Sequence, residues 1–159
     1  AQAGDDPLQG GLVHRLDNDA SGVLICATNP DAFAQLRGTF QASEIERSYV
    51  VRTSADAEGR FLRAGRSRLA LRSRGPRVVT DAAGRAAHTE WLPLDDRGLL
   101  EVRLYSGHRH QIRVHLAAAG FPVVGDSLYG GVHAERLMLH CERLAWPGAE
   151  VCAKSPHFP

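Results

Sequence analysis

Gly11-Leu12-Val13-His14-Arg15-Leu16-Asp17-Asn18-Asp19-Ala20-Ser21-Gly22 is the most informative stretch of the chain. His14 to Asp17 places a histidine, an arginine and a carboxylate side by side, interleaved with apolar Leu12, Val13 and Leu16. Asn18-Asp19 signals a turn, and the apolar run from Gly22 to Ala27 predicts a buried strand over 22–28. A carboxylate at the mouth of a turn, between apolar segments, has rigid neighbours yet faces open space. Catalytic groups are commonly carried on loops in this way. A surface turn whose Asp17 caps nearby backbone has the same local pattern, and only the rest of the chain separates the two.

Beyond that strand, Asn29-Pro30-Asp31 supplies an N-cap, a first-turn proline and an acid at the positive end of a helix. With Ala32, Phe33, Leu36 and Phe40 as its stripe, a helix is predicted over 30–42. Strands are predicted at 48–52, 67–72, 77–80, 86–94, 99–105, 137–146 and 149–153. In 99–105 the apolar Leu100, Val102 and Leu104 alternate with Glu101, Arg103 and Tyr105, the mark of a half-buried antiparallel strand. Ser106-Gly107 breaks that strand, and a helix is predicted over 109–119, ended by Gly120 in a left-handed cap. Strands outnumber helices and hairpin-length turns join many of them. The fold class is therefore α+β, a mostly antiparallel mixed sheet with flanking helices and loops.

A length of 159 residues predicts a single domain over 1–159. Charged residues at 23% and apolar residues at 43% suit an ordinary globular protein. No apolar run reaches the length of a membrane span, and the polar, acidic Ala1–Asp6 is unlike a signal peptide. A cytoplasmic location, no membrane partner and a monomer are expected. Cys26, Cys141 and Cys152 form no Cys-x-x-Cys pair, which argues against a zinc ribbon or redox motif and for buried reduced thiols. Net charge is only +1, but Arg60, Arg63, Arg66, Arg68, Arg72, Arg74 and Arg77 form a stripe without an intervening acid. Such a stripe can bind phosphates. Because 18 of the 19 basic residues are arginine, it also reads as an ordinary surface.

A second informative stretch is Ser106-Gly107-His108-Arg109-His110-Gln111-Ile112-Arg113-Val114-His115-Leu116. A tight turn delivers a strand into a helix whose first turn is polar, where free N–H groups and the helix dipole favour an anion. Arg113 lies one turn along from Arg109 on the same face and can reach a carboxylate across a cleft. Taken alone, this stretch also fits an amphipathic helix with surface arginines.

Both stretches resemble words of the RluA-type RNA pseudouridine synthases. His14-Arg15-Leu16-Asp17 with Ser21-Gly22 resembles H-R-L-D-x-x-T-S-G, and residues 106–116 resemble T-G-R-T-H-Q-I-R-V-H-L. Gly120–Gly130 resembles G-x-P-I-x-G-D-x-x-Y-G, Leu139-His140-Cys141 resembles L-H-A, and Arg47-Ser48-Tyr49 resembles K-x-Y. Five words in the family's order, from 14 to 141, make the resemblance specific.

The resemblance implies a catalytic domain arranged around a central active-site cleft that isomerises uridine to pseudouridine in structured RNA, a ribosomal or transfer RNA stem-loop. Asp17 is then the catalytic nucleophile, Arg113 its ionic partner and Tyr49 the ring that stacks on the target base. Arg15 enters the RNA where the uridine has flipped out, and Leu139 lines the uracil pocket. His14, His110 and Gln111 complete the substrate-binding set. The chemistry fits these residue types. Uracil is detached, rotated and rejoined through C5 without redox change, so one carboxylate nucleophile suffices and no cofactor or metal is expected. Flipping the base out of its stack costs a few kcal/mol, and stacking on an aromatic ring returns about 1–3 kcal/mol.

Three positions depart from the family words: His108 and Arg109 replace arginine and threonine, and Ala20 replaces threonine. The chain begins 16 residues before Asp17 and shows no K-P-x-G word. It therefore reads as an N-terminally abbreviated catalytic domain without a separate RNA-binding domain, and a missing strand would leave an unpaired sheet edge. Other readings are a catalytically silent RNA-binding module derived from such an enzyme, a zinc site built on His108, His110 and His115, and an unrelated scaffold with coincidental words. The three histidines do not share a helix face, and no acid or cysteine stands at ligand spacing.

Overall fold

The structure, a computed structural model, describes residues 11–42 and 44–158. In chain order its elements are β1 (Ser21–Gly22), α1 (Pro30–Gln41), β2 (Glu46–Arg52), β3 (Gly65–Ser67), β4 (Leu71–Arg74), β5 (Arg77–Thr80), β6 (Thr89–Pro93), β7 (Leu99–Leu104), α2 (Gln111–Ala118), β8 (Leu139–Trp146) and β9 (Ala149–Cys152). The main sheet runs β1-β8-β2-β7-β6-β3, with β9 beside the far half of β8. Every pairing in it is antiparallel except β1 with β8. β4 and β5 form a separate hairpin. The α+β class and the mostly antiparallel sheet agree with the sequence pattern.

Period-two alternation builds the core. Val51 on β2, Leu100 and Val102 on β7, Trp91 on β6 and Leu139 on β8 meet Ile112 and Leu116 of α2 in one cluster. Leu100, Leu116 and Leu144 are fully buried, and truncating such a leucine to alanine costs about 2–5 kcal/mol. A second cluster joins Val23, Ile45, Cys141 and Leu144 to the underside of α1 through Phe40. A third packs the hairpin residues Leu71 and Val78 on Val114 of α2.

α1 follows its sequence signals closely. The Asn29 side chain accepts the Ala32 N–H at 2.8 Å, and Pro30 opens the first turn. α2 does not show the amphipathic pattern of a surface helix, because Gln111 through Leu116 are all buried. Its polar side chains are tolerated because each finds internal partners. Gly120 adopts φ +89° just beyond the helix, as expected of the left-handed cap.

Several expectations are corrected. The strand predicted over 22–28 shrinks to Ser21–Gly22. Gly22 takes φ +122°, and a Cβ there would run into the Cys141 backbone. After it the chain leaves β8 and returns to its own upstream segment, with a Leu12–Cys26 bridge. Leu24 is consequently 47% exposed although it lies in an apolar run. The predicted 67–72 strand splits between β3 and β4, and 86–94 shortens to 89–93. The helix predicted from 109 starts at Gln111, because His110 is left-handed (φ 54°). Only Cys141 is a buried thiol; Cys26 and Cys152 are exposed.

Candidate active site

Asp17 sits at the tip of an irregular hairpin. The Ala27 N–H donates to the Gly11 carbonyl at 2.9 Å and closes its base, while the Ala20 N–H donates to the Asp17 carbonyl at 3.0 Å and tightens its turn. His14 clasps the two sides together. Its Nε2 accepts the Ile25 N–H at 3.0 Å, and its ring stacks on Phe40 at 4.8 Å between centroids. Burial, reinforced by the Arg47 charge, pushes the His14 imidazole down to about 4, so the ring is neutral at physiological pH and remains an acceptor.

The Asp17 carboxylate meets the start of α2. Its Oδ1 lies 3.4 Å from the His110 N–H and its Oδ2 lies 3.5 Å from Arg113 Nη1. The left-handed backbone at His110 turns that N–H toward Asp17 ahead of the helix, an unusual conformation for a non-glycine residue. Arg113 is held chiefly by Asp126. Nε donates to Oδ2 at 2.7 Å and Nη2 to Oδ1 at 2.8 Å, the bidentate geometry that suits a guanidinium and a carboxylate. Burial works against the Arg113 charge, but hydrogen bonds and charge from Asp126, with Asp17 behind, raise its pKa on balance. The Tyr129 ring lies 5.2 Å from the same guanidinium.

Tyr129 ties this centre to the β4–β5 hairpin. Its hydroxyl accepts the Val78 N–H at 2.8 Å and lies 2.8 Å from His110 Nδ1. Burial lowers the pKa of His110, which keeps that ring neutral as well. Arg109 adds a second tie through Nη2, which donates to the Gly75 and Arg77 carbonyls of the hairpin turn at 2.7 and 3.1 Å. Gln111 makes four hydrogen bonds inside the protein, which exhausts its amide. It accepts from Ser106 Oγ and the His108 N–H and donates to the His88 carbonyl and Thr89 Oγ1.

These elements enclose a cleft of about 830 Å³, within the range of roughly 300–1,000 Å³ usual for ligand sites. His14, Arg15, Asp17, Tyr49, His110, Gln111 and Leu139 line it. Arg113 stands behind Asp17 and does not reach the lining. Tyr49 lies on β2 opposite Cys141 of β8, and burial raises its hydroxyl well above the ordinary tyrosine value, so it is a neutral phenol. Leu139 is buried at the cleft floor. Arg15 is exposed at the rim. His108, His110 and His115 are not gathered: His108 bonds the Ala86 carbonyl, His110 faces Tyr129, and His115 lies buried between Thr89 Oγ1 and the Leu69 carbonyl.

Among the described residues, five arginines line the cleft, Arg15, Arg37, Arg47, Arg85 and Arg109, against the single carboxylate of Asp17. None belongs to the Arg60–Arg77 stripe. Acids flanking that stripe engage part of it: Arg60 pairs with Asp56 and Glu58, and Arg72 and Arg74 with Asp81. Asp126 and Tyr129 were present in the Gly125-Asp126-x-x-Tyr129-Gly130 word, yet their link to Arg113 was not legible there. Only folding brings that loop beneath α2.

By architecture this is an α+β protein with a cationic cleft centred on one guanidinium-held carboxylate. The family described as RNA pseudouridylate synthase matches residues 2–118. The chain belongs to that family. It is 39% identical over 150 residues to an RNA pseudouridine synthase of Chloroflexus aurantiacus, covering 86% of this chain and 45% of the relative. It is 34% identical over 125 residues to a protein of Zymomonas mobilis named ribosomal large subunit pseudouridine synthase D, covering 76% and 39%. The chain thus spans less than half the length of these two relatives. Among solved structures, human RNA pseudouridylate synthase domain containing 1 shares the fold, with a TM-score of 0.81 at 24% identity over 93% of this chain and 70% of the other.

Proposed function

We propose that the cleft isomerises uridine to pseudouridine in structured RNA, with Asp17 as the nucleophile. The observation that carries this reading is that, among the described residues, Asp17 is the one carboxylate lining a cleft with five arginines, and is itself held by a guanidinium and a backbone N–H. The arginines attract a polyanion. Family membership supplies the reaction class.

In this reading a flipped uracil stacks on Tyr49 above Leu139, and Arg15 fills the gap left in the RNA. The Asp17 carboxylate attacks either C1′ of the ribose or the base. The N-glycosidic bond breaks, uracil turns, and C5 bonds to C1′. The C5 proton is released, N1 takes up a proton, and the carboxylate is regenerated. Arg113 positions Asp17 for this attack. His14 and Gln111 hold the walls of the cleft through internal hydrogen bonds, and His110 orients Asp17 through its N–H. A ribosomal RNA stem-loop is the leading substrate, on the names of the bacterial relatives, with transfer RNA as the alternative. The protein is proposed to act as a cytoplasmic monomer.

The test is tritium release from RNA labelled at uridine C5. Release by the wild-type protein supports the isomerase. RNA binding without release would mark a silent binding module. Mapping pseudouridines in total RNA from a strain lacking the gene then identifies the target.

A further inference from the structure

Arg47 is the one cleft arginine that is both half-buried and without a partner among the described residues. Arg15, Arg37 and Arg85 stand exposed at the rim, and Arg109 is bonded to the hairpin turn. The Arg47 Nε is buried with nothing to donate to, and no described acid pairs with its guanidinium. The groups that act on its charge are Tyr49 and Cys141, both neutral, and burial pulls its pKa below the usual arginine value.

The side chain is nonetheless fixed. The Phe40 ring lies 5.4 Å beneath the guanidinium. On the other side Gly107 leaves room for it, since a Cβ there would strike Nη1. An unpaired cation held in place at a partly desolvated wall is costly to the folded state. A bound anion would supply the counter-charge that the described residues do not.

We propose that Arg47 is the seat of one backbone phosphate of the bound RNA, next to the nucleotide presented to Asp17. Its fork of donors matches two non-bridging phosphate oxygens. Arg47 shares the cleft with Asp17 and Tyr49, so a phosphate seated there fixes the chain direction beside the flipped base. This inference rests on the RNA reading of the cleft given above and adds a specific contact to it.

The experiment measures binding of a synthetic stem-loop RNA with uridines in its loop, across a salt series, for the full chain and for Arg47→Met and Arg47→Lys. Losing one phosphate contact lowers the slope of log K against log salt by about 0.7 for a single-stranded segment. Arg47→Met is expected to show that drop, to bind about tenfold more weakly at low salt, and to melt at or above the wild-type temperature because an uncompensated charge is gone. Arg47→Lys is expected to restore the slope while binding more weakly than wild type. An unchanged slope in Arg47→Met, with wild-type RNA binding intact, overturns the proposal and leaves the isomerase reading standing. Wild-type protein that binds no RNA overturns both. If Arg47→Met does not fold, Arg47→Gln, equally uncharged, takes its place: a slope lowered by about 0.7 supports the proposal and an unchanged slope overturns it.

Discussion

Arg113 grips Asp126 through two hydrogen bonds of 2.7 and 2.8 Å, and meets Asp17 only at 3.5 Å. The order of strength is informative. Asp126 is 1% exposed and also accepts the N–H groups of Leu128 and Tyr129 at 3.1 Å, so it is the anchor of the centre. Asp126 fixes the plane of the guanidinium, and the guanidinium then aims one N–H at Asp17. Both contacts to Asp17 are at the long end of hydrogen bonding. Such loose restraint suits the nucleophilic role proposed for Asp17, since a group that attacks must leave its resting contacts.

Arg113→Met leaves the Asp126 charge buried and unpaired, which is expected to lower stability by about 3–5 kcal/mol. Asp126→Leu strands the arginine and should cost a similar amount. The double variant is expected to lose clearly less than the two losses added together, because neither unpaired charge then remains. Urea unfolding of the four proteins measures this. Strict additivity would mean that the pair is not coupled.

His14 confers a pH dependence whose sign is fixed. Its pKa falls from 6.5 in the unfolded chain to about 4 in the fold, so between those values the unfolded chain binds more protons. The stability it protects is complete above about pH 6.5 and is lost as pH falls toward 4. His14→Asn keeps an acceptor for the Ile25 N–H without titrating, and is expected to flatten the fall in Tm between pH 6.5 and 4. Melting curves for both proteins across that window provide the comparison, and parallel curves would refute the assignment.

Gly22 carries the chain away from β8 at φ +122°, with its α-carbon against the Cys141 backbone. Gly22→Ala is expected to destabilise by more than about 1 kcal/mol, since the new methyl is both strained and obstructed. Chemical denaturation reads the loss. An alanine variant as stable as wild type would show that the loop carrying Asp17 has slack.

Arg109 fastens the β4–β5 turn to the mouth of the cleft. Arg109→Met removes the bonds to the Gly75 and Arg77 carbonyls, and faster proteolytic cleavage at 74–77 is expected with little change in global stability. Cleavage at the wild-type rate would mean that the Tyr129 bond and the packing of Leu71 and Val78 on Val114 suffice to hold the hairpin.

Local sequence signals set the structure where local physics decides. Asn29-Pro30 starts α1 at Pro30, Gly120 ends α2, and the Leu100-Val102-Leu104 alternation gives β7. The apolar run 22–27 misled, because its residues are divided between β8 and the returning 12–13 segment, a partition set by tertiary pairing. The cleft's residues were legible as words, and Asp17 and Arg113 do meet. What the words did not show was the third member. Asp126 reaches Arg113 only through the path of the 120–130 loop, and the cleft's arginines are scattered from 15 to 109, where no charge run reveals them.

The most direct measurement is single-turnover tritium release from C5-labelled RNA by wild type and Asp17→Asn, with RNA affinity measured on the same samples. Asparagine keeps the shape and removes the carboxylate proposed as the nucleophile. Release by wild type, none by Asp17→Asn, and affinities within a few-fold of each other are the expected outcome. An Asp17→Asn protein that releases tritium at the wild-type rate would remove Asp17 from the chemistry.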